Sequence, residues 1–305
     1  MKKITFIILA LTGLLFISCN NNSITQEEWT KLKENIDEQN NSSDNTVKIN
    51  SKGNILSCNN IYLTLNGNTI NNSEFIFGEK FQINFDNITG FNLIDGKFYP
   101  SLSIIILDKN NDTIFVTDDL YGNNGFKTAQ ISLNAYLECA DPMYSNNTYH
   151  AFINIWDKKG EGTFASDFEF SVKPTDKITT ETNKLSYKEV YLYSKDSKKV
   201  IFDNKVNLYE RVYIIFEGLD GFVVSDSLAS VGMDLLATDI NGDTVIYIPD
   251  FFPEPIKAFD LFQASSVKLV FKDKKIKDPL NCNVFIWDKK SDANINAKFK
   301  LNLIR

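Results

Sequence analysis

The chain has 305 residues, 43% hydrophobic and 23% charged, enough for two globular domains that each bury a core. Its formal net charge of -7 argues against a nucleic-acid partner, because neutralising phosphates takes clustered cations. The single histidine excludes a histidine metal cluster, and there is neither a Gly-rich phosphate loop nor a Cys pair at zinc spacing, so no cofactor is expected.

Residues 1–19, MKKITFIILALTGLLFISC, open with Lys2 and Lys3, run apolar from Ile4 to Ile17 and end at Ser18 and Cys19. That is the pattern of a signal sequence, and it is short for a membrane-spanning helix, which needs about 20 residues to cross about 30 Å of hydrocarbon. Phe16, Ile17, Ser18 and Cys19 resemble the lipobox of bacterial lipoproteins, with Phe16 in place of the usual leucine. The resemblance implies removal of residues 1–18, acylation of Cys19 and anchorage to a membrane in the cell envelope. Asn20, rather than Asp, after the cysteine implies the outer membrane.

Residues 19–49 read as a tether. Within it, Thr25 and Glu28 form a capping box, and Trp29, Leu32 and Ile36 fall on one helical stripe. A short helix follows, its stripe docking on the first domain or on the membrane surface. The polar run NNSSDNTVKINSKGN after it reads as a disordered spacer.

An internal repeat dominates the remainder. At an offset of 131 residues, Glu79 to Tyr121 fall on Glu210 to Phe252, matching Gly90 and Phe91 with Gly221 and Phe222, and Asp95 with Asp226. The same offset lays INIWDKK at 153–159 on VFIWDKK at 284–290. Two copies of one domain are therefore predicted at 50–174 and 185–305, with 175–184 as a polar linker.

Both copies carry a period of two. Phe81, Ile83 and Phe85 answer Val212, Ile214 and Phe216; Leu102, Ile104 and Ile106 answer Met233, Leu235 and Ala237. Phe168, Phe170 and Val172 answer Phe299, Leu301 and Leu303, while Asp167 and Glu169 on the other face stand opposite Lys298 and Lys300, which reads as a face in water. Turn signals such as DKNND, DINGD and DKKGEG separate the strands at β-sandwich intervals. The expected fold is all-β: two tandem Ig-like antiparallel β-sandwich domains, with a jelly roll as the rival. The second copy holds only Cys282, so the inter-sheet bridge of antibody-type domains cannot form there, while Cys58 and Cys139 in the first leave that pairing open.

Several groups of side chains are candidates for chemistry. Asp108 and Asp112, with Asp239 and Asp243, place oxygens as calcium loops do, but Thr113 and Thr244 stand where such a loop needs Gly, so hairpin turns are expected. Trp156 and Trp287 fall on the face opposite Ile153 and Ile155, or Val284 and Ile286, and should be partly buried, by cross-strand packing or as platforms for a sugar ring or a partner. PDFFPEPIKAFDLF in the second copy gathers Phe251, Phe252, Phe259 and Phe262, as cover for a sheet edge or as an aromatic patch. His150, with no flanking nucleophile motif, is a poor base for a hydrolytic triad. The reading is a membrane-anchored, non-enzymatic envelope module that binds an envelope protein or plays a structural part, with cell-surface glycan binding as the alternative and a hydrolase behind both.

Overall fold

The computed structural model describes residues 47–123, 125–127 and 131–305. The signal sequence, Cys19 and the helix expected from Thr25 lie outside these residues. The chain divides into two compact units between Lys173 and Pro174, and each is an antiparallel β-sandwich.

In the first repeat ten strands are formed: β1 (Asn50–Asn54), β2 (Asn60–Leu65), β3 (Asn68–Ile70), β4 (Glu74–Ile76), β5 (Lys80–Ile88), β6 (Pro100–Leu107), β7 (Thr113–Val116), β8 (Ile131–Glu138), β9 (Asn147–Asp157) and β10 (Thr163–Lys173). One sheet runs β1-β10-β9-β6-β7, with β4 added parallel to the end of β10; the other runs β3-β2-β5-β8. The predicted faces are the ones buried between them. Phe81, Phe85, Leu102 and Ile106 are fully buried, and Phe75 stacks on Phe81 at 3.9 Å between ring centroids.

The second repeat repeats this plan with β11 (Ile178–Asn183), β12 (Glu189–Ser194), β13 (Lys199–Val200), β14 (Lys205–Asn207), β15 (Val212–Glu217), β16 (Val224–Ser225), β17 (Leu228–Ala229), β18 (Val231–Thr238), β19 (Thr244–Ile248), β20 (Ile256–Lys257), helix α1 (Ala258–Gln263), β21 (Ser265–Leu269), β22 (Leu280–Asp288) and β23 (Asn294–Ile304). Its sheets run β11-β23-β22-β18-β19 and β13-β12-β15-β21, with a small β16-β17-β20 sheet at one end. Val206, Val212 and Leu301 stand where the first repeat has Phe75, Phe81 and Phe170, so the core loses three rings on the same backbone plan while keeping Phe216 and Phe299.

Four expectations are corrected. Part of the expected spacer is β1, whose five residues pair with β10, and most of the expected linker is β11, paired with β23. Both segments are polar because they are edge strands held by backbone hydrogen bonds; Ile178 is the one apolar residue that β11 buries. The 131-residue offset does not extend to the start of the copies. Leu63 pairs with Ile83 as Leu192 pairs with Ile214, so the offset is 129 before the first hairpin and 131 after it. The two extra residues lie in that hairpin: Asn66 and Gly67, both with positive φ, make a two-residue turn in the first repeat, while Lys195–Lys198 make a four-residue one in the second. Finally, Asp167 does not face water. It is 3% exposed, its Oδ2 lying 2.7 Å from His150 Nε2 and accepting from Asn50 Nδ2, whereas Glu169, Lys298 and Lys300 are exposed as expected.

A buried tyrosine ties the corner before β9. The Tyr149 hydroxyl accepts from the Tyr144 N–H at 2.6 Å and donates to the Tyr144 carbonyl at 3.0 Å, the corner that Ig-like sandwiches carry ahead of their penultimate strand. The second repeat has Leu280 there. Tyr149→Phe should therefore destabilise the first repeat alone, by about 1–3 kcal/mol. In hydrogen exchange of the whole chain this reads as faster exchange in β9 and β10 with β22 and β23 unchanged.

Candidate functional site

The repeated WDKK segment ends β9 and β22, and its residues fasten one end of each sandwich. Asp157 accepts the Lys159 N–H at 2.9 Å and reaches across the turn to the Asn92 N–H at 2.7 Å. Asp288 does the same with Lys290 at 3.0 Å and Val223 at 2.9 Å, and also accepts from Ser291 Oγ at 2.7 Å. Burial by itself pushes the Asp288 carboxyl up, but these three hydrogen bonds and the Lys290 charge outweigh it and hold the group below the usual carboxylate range. The next residue pins a second loop: Lys158 pairs with Asp119, and Lys289 pairs with Asp250 at 2.8 Å while donating to the Phe252 carbonyl. Gly90 and Gly221 complete the clasp, with φ of 97° and 95°. A Cβ there would lie 2.3 Å from the Ile55 carbonyl oxygen or 2.4 Å from that of Lys184, so the matched glycines are sterically required.

The pinned loops display apolar side chains at the same end of both sandwiches. Leu93 and Ile94 are exposed in the first repeat, and Val223, Val224 and Leu228 in the second, each set around a tight turn at Asp95 or Asp226 with positive φ. In the second repeat β20 adds beside β17, Leu228 opposite Lys257, and α1 follows at once with Phe259, which is 68% exposed. Sequence reasoning missed these aliphatic residues; the matched Gly-Phe and Asp positions around them were the available signal.

The other expected site residues are scattered. Phe251 and Phe252 are half-buried against the second repeat's core, their rings edge to face at 5.1 Å, while Phe259 and Phe262 are exposed on α1, Phe262 beneath the Lys188 ammonium. Two of the four rings are thus committed to the core's edge and two to the surface. Trp156 and Trp287 are half-buried on the outer faces. Trp287 lies across Gly232, whose Cβ would fall 2.0 Å from the indole, and stacks on Phe285 at 5.5 Å. These two rings, with Asp234, Asp292 and Asn294, line an open depression of about 320 Å³.

Asp108 and Asp239 serve their own turns: each carboxylate accepts two backbone N–H groups, from Asn110 and Asp112 or from Asn241 and Asp243. The described residues hold no group of three metal-ligating side chains around either pair. His150 stacks on Phe152 at 4.2 Å as well as bonding to Asp167, which ties it into the sheet rather than to a nucleophile. Cys58, Cys139 and Cys282 are free thiols; burial pushes all three up, Cys282 to about 12. No helix among the described residues is long and apolar enough to cross a membrane.

No family model and no curated protein matches the chain. Among solved structures, the chain is similar to a calcium-binding mutant of Bacteroides uniformis beta-glucuronidase 2 (7% identity, TM-score 0.26, covering 82% of this chain and 32% of that one). An ICAM-5 ectodomain fragment gives 10% identity and a TM-score of 0.22, covering 80% of this chain and 54% of the fragment. A DUF3823 family protein from Bacteroides ovatus gives 10% and 0.20, covering 70% of this chain and 95% of that one. The chain thus spans about a third and about half the length of the first two. Overlaps this weak carry no argument about activity or ligand.

The Asp288 clasp has a stability consequence. Its lowered pKa means that the stabilisation is fully present above the unfolded value, about 3.9, and is lost as pH falls through the folded value below it. Asp288→Ala, which strands three donors, should cost about 2–4 kcal/mol at neutral pH and flatten the acid limb of the second repeat's stability profile, followed by urea titration between pH 7 and 2.5.

Proposed function

We propose that the chain is a lipid-anchored, non-enzymatic binding module of the bacterial cell envelope, held at the outer membrane through Cys19. It engages an envelope protein with the loop end of its second repeat. The observation that carries this reading is the exposed apolar rim of Val223, Val224, Leu228 and Phe259, in which the buried Asp288 carboxylate holds the Val223 N–H and β17 pairs with the β20 strand that leads into α1. Immobilised loops present a surface without an ordering cost on binding, which is what a docking face needs. The openness of the aromatic depression favours binding over hydrolysis. Phe259→Asp with Leu228→Asp changes only exposed side chains, so the melting temperature should stay within about 2 °C of the parent. The same variant should lose the partner that the parent chain cross-links in intact cells; retention of that partner would remove the rim from the account.

Glycan binding is favoured separately by one feature, the Trp287 and Phe285 rings edged by Asp234, Asp292 and Asn294, since sugars present an apolar ring face and a polar rim. Here Trp287→Ala should abolish retention on polysaccharide affinity gels, and Trp287→Phe, which keeps a ring over Gly232, should restore part of it. Equal retention by all three forms would exclude the platform.

A further inference from the structure

The outer face of the sheet that carries Trp287 changes chemistry along its length. On β22 its outward side chains run Trp287, Phe285, Asn283, Asn281, and their partners across on β23 are Asn294, Asn296, Lys298 and Lys300. The aromatic depression takes up the Trp287 end. A second depression, of about 540 Å³, takes up the other: Asn281, Asn283, Lys298 and Lys300 line it, and it reaches Lys177 and Asn204 beside the edge of β23. That volume is of the size small ligands occupy. Six residues of β22 separate Trp287 from Asn281, a rise of about 20 Å, so both depressions lie within one short run of a single face.

Two features of the second depression point to its ligand. Lys177, Lys298 and Lys300 set three ammonium groups against the one carboxylate of Asp176, in a chain whose net charge is -7. Lys298 pairs with Glu181 at 3.3 Å and Lys177 with Asp176 at 3.0 Å, but all four side chains are exposed, and such pairs hold too weakly to keep an ammonium from a ligand's anion. The other feature is a pair of orphaned acceptors. Asn204 is 8% exposed, and neither its Oδ1 nor that of Asn283 meets a donor among the described residues. The last torsion of asparagine is soft, so a small turn of either amide brings its oxygen to a hydroxyl seated in the depression. Ammonium groups call for an anion and unpaired carbonyls for hydroxyl donors, and a sugar acid carries both on one ring.

We propose that this depression binds an acidic residue of a saccharide, its carboxylate held by Lys298 and Lys300 and its hydroxyls by Asn204 and Asn283. A polymer that stacks on Trp287 and Phe285, as in the glycan reading on which this rests, is then anionic and runs along β22 to reach the lysines. The first repeat offers no second copy of the site. Asp167 and Glu169 stand in the places of Lys298 and Lys300, at the same register on the last strand, and would repel the carboxylate.

The test is non-denaturing electrophoresis of the full-length chain, in detergent, through gels carrying polygalacturonate, alginate or hyaluronate, each beside its methyl-esterified form, and through gels carrying polyphosphate. At least one of the three acids should retard the chain, its ester about tenfold less. Lys298→Gln with Lys300→Gln changes only exposed side chains and should weaken that retention about tenfold, whereas Lys52→Gln with Lys109→Gln, the same charge change on exposed lysines of the first repeat, should leave it unaltered. Equal retention by acid and ester, retention that survives the loss of Lys298 and Lys300, or an equal loss with both pairs of substitutions would overturn the acidic site and leave Trp287 as a neutral platform. Polyphosphate binding as strongly as the best of the acids would overturn it too, since charge without hydroxyls would then suffice. Retention that needs the two lysines but survives Trp287→Ala would support the acidic site and remove the aromatic platform; no retention in any gel would remove both.

Discussion

Alternate residues along each long strand must be buried between two sheets, and everything else in this molecule is arranged around that requirement. The inner positions of β5, β6, β9 and β10 are apolar at Phe81, Ile83, Leu102, Ile104, Ile153 and Phe170, with the small Ser166 as a polar exception, and the second-repeat counterparts of those six are apolar too. Burial of this kind contributes about 25 cal/mol per Å² and is indifferent to shape at the level of Phe against Val, provided neighbours compensate. Individual core rings could therefore give way to Val or Leu without changing strand order. The outer positions carry no such obligation, and there the copies part company.

What did not drift is the hardware of one end. A carboxylate that is nearly inaccessible to water and accepts two or three N–H or O–H groups is costly to replace, because every substitute leaves donors stranded. The same holds for glycines pressed against a carbonyl. This explains why WDKK and Gly-Phe recur while the surrounding surface does not: their constraints are set by backbone, which the copies share, and not by solvent or ligand, which they need not. The free thiols show the converse. Cys58, Cys139 and Cys282 occupy unrelated positions in the two copies and make no bridge, so the sandwiches rest on packing and backbone pairing.

The parts legible in the sequence were those with a strong local signature. Period two in Phe81–Phe85 fixed which face is inward, and the matched turns at Asp108 and Asp239 located hairpins. Edge strands β1 and β11 were not legible, since KINSKGN and ITTETN bury almost nothing and owe their pairing to the strands beside them. Helix α1 was missed because six residues close behind Pro253 and Pro255 give no periodicity to read. The burial of Asp167 was missed for a different reason. A carboxylate opposite a lysine in the other copy looks like a tolerant surface, and only the cross-strand neighbours His150 and Asn50 show that it is not. The aromatic loop was legible as a cluster of rings but not as two half-buried rings and two exposed ones, because a loop has no period from which burial can be inferred.

That difference between Asp167 and Lys298 bears on how a chain holding two copies of one fold avoids tangling. Strands of similar pattern on one polypeptide compete for each other's places while it folds, and a final strand lodged in the wrong sheet would bury the correct hydrophobic set. With β23 in place of β10, an ammonium would replace the carboxylate that His150 and Asn50 engage, and two donors would lose their acceptor. With β10 in place of β23, Glu169 would displace Lys300 and Asp167 would displace Lys298, which now faces Glu181 on the neighbouring strand at 3.3 Å. Each sheet thus discriminates its own last strand by sign of charge, on the face where the core has no say.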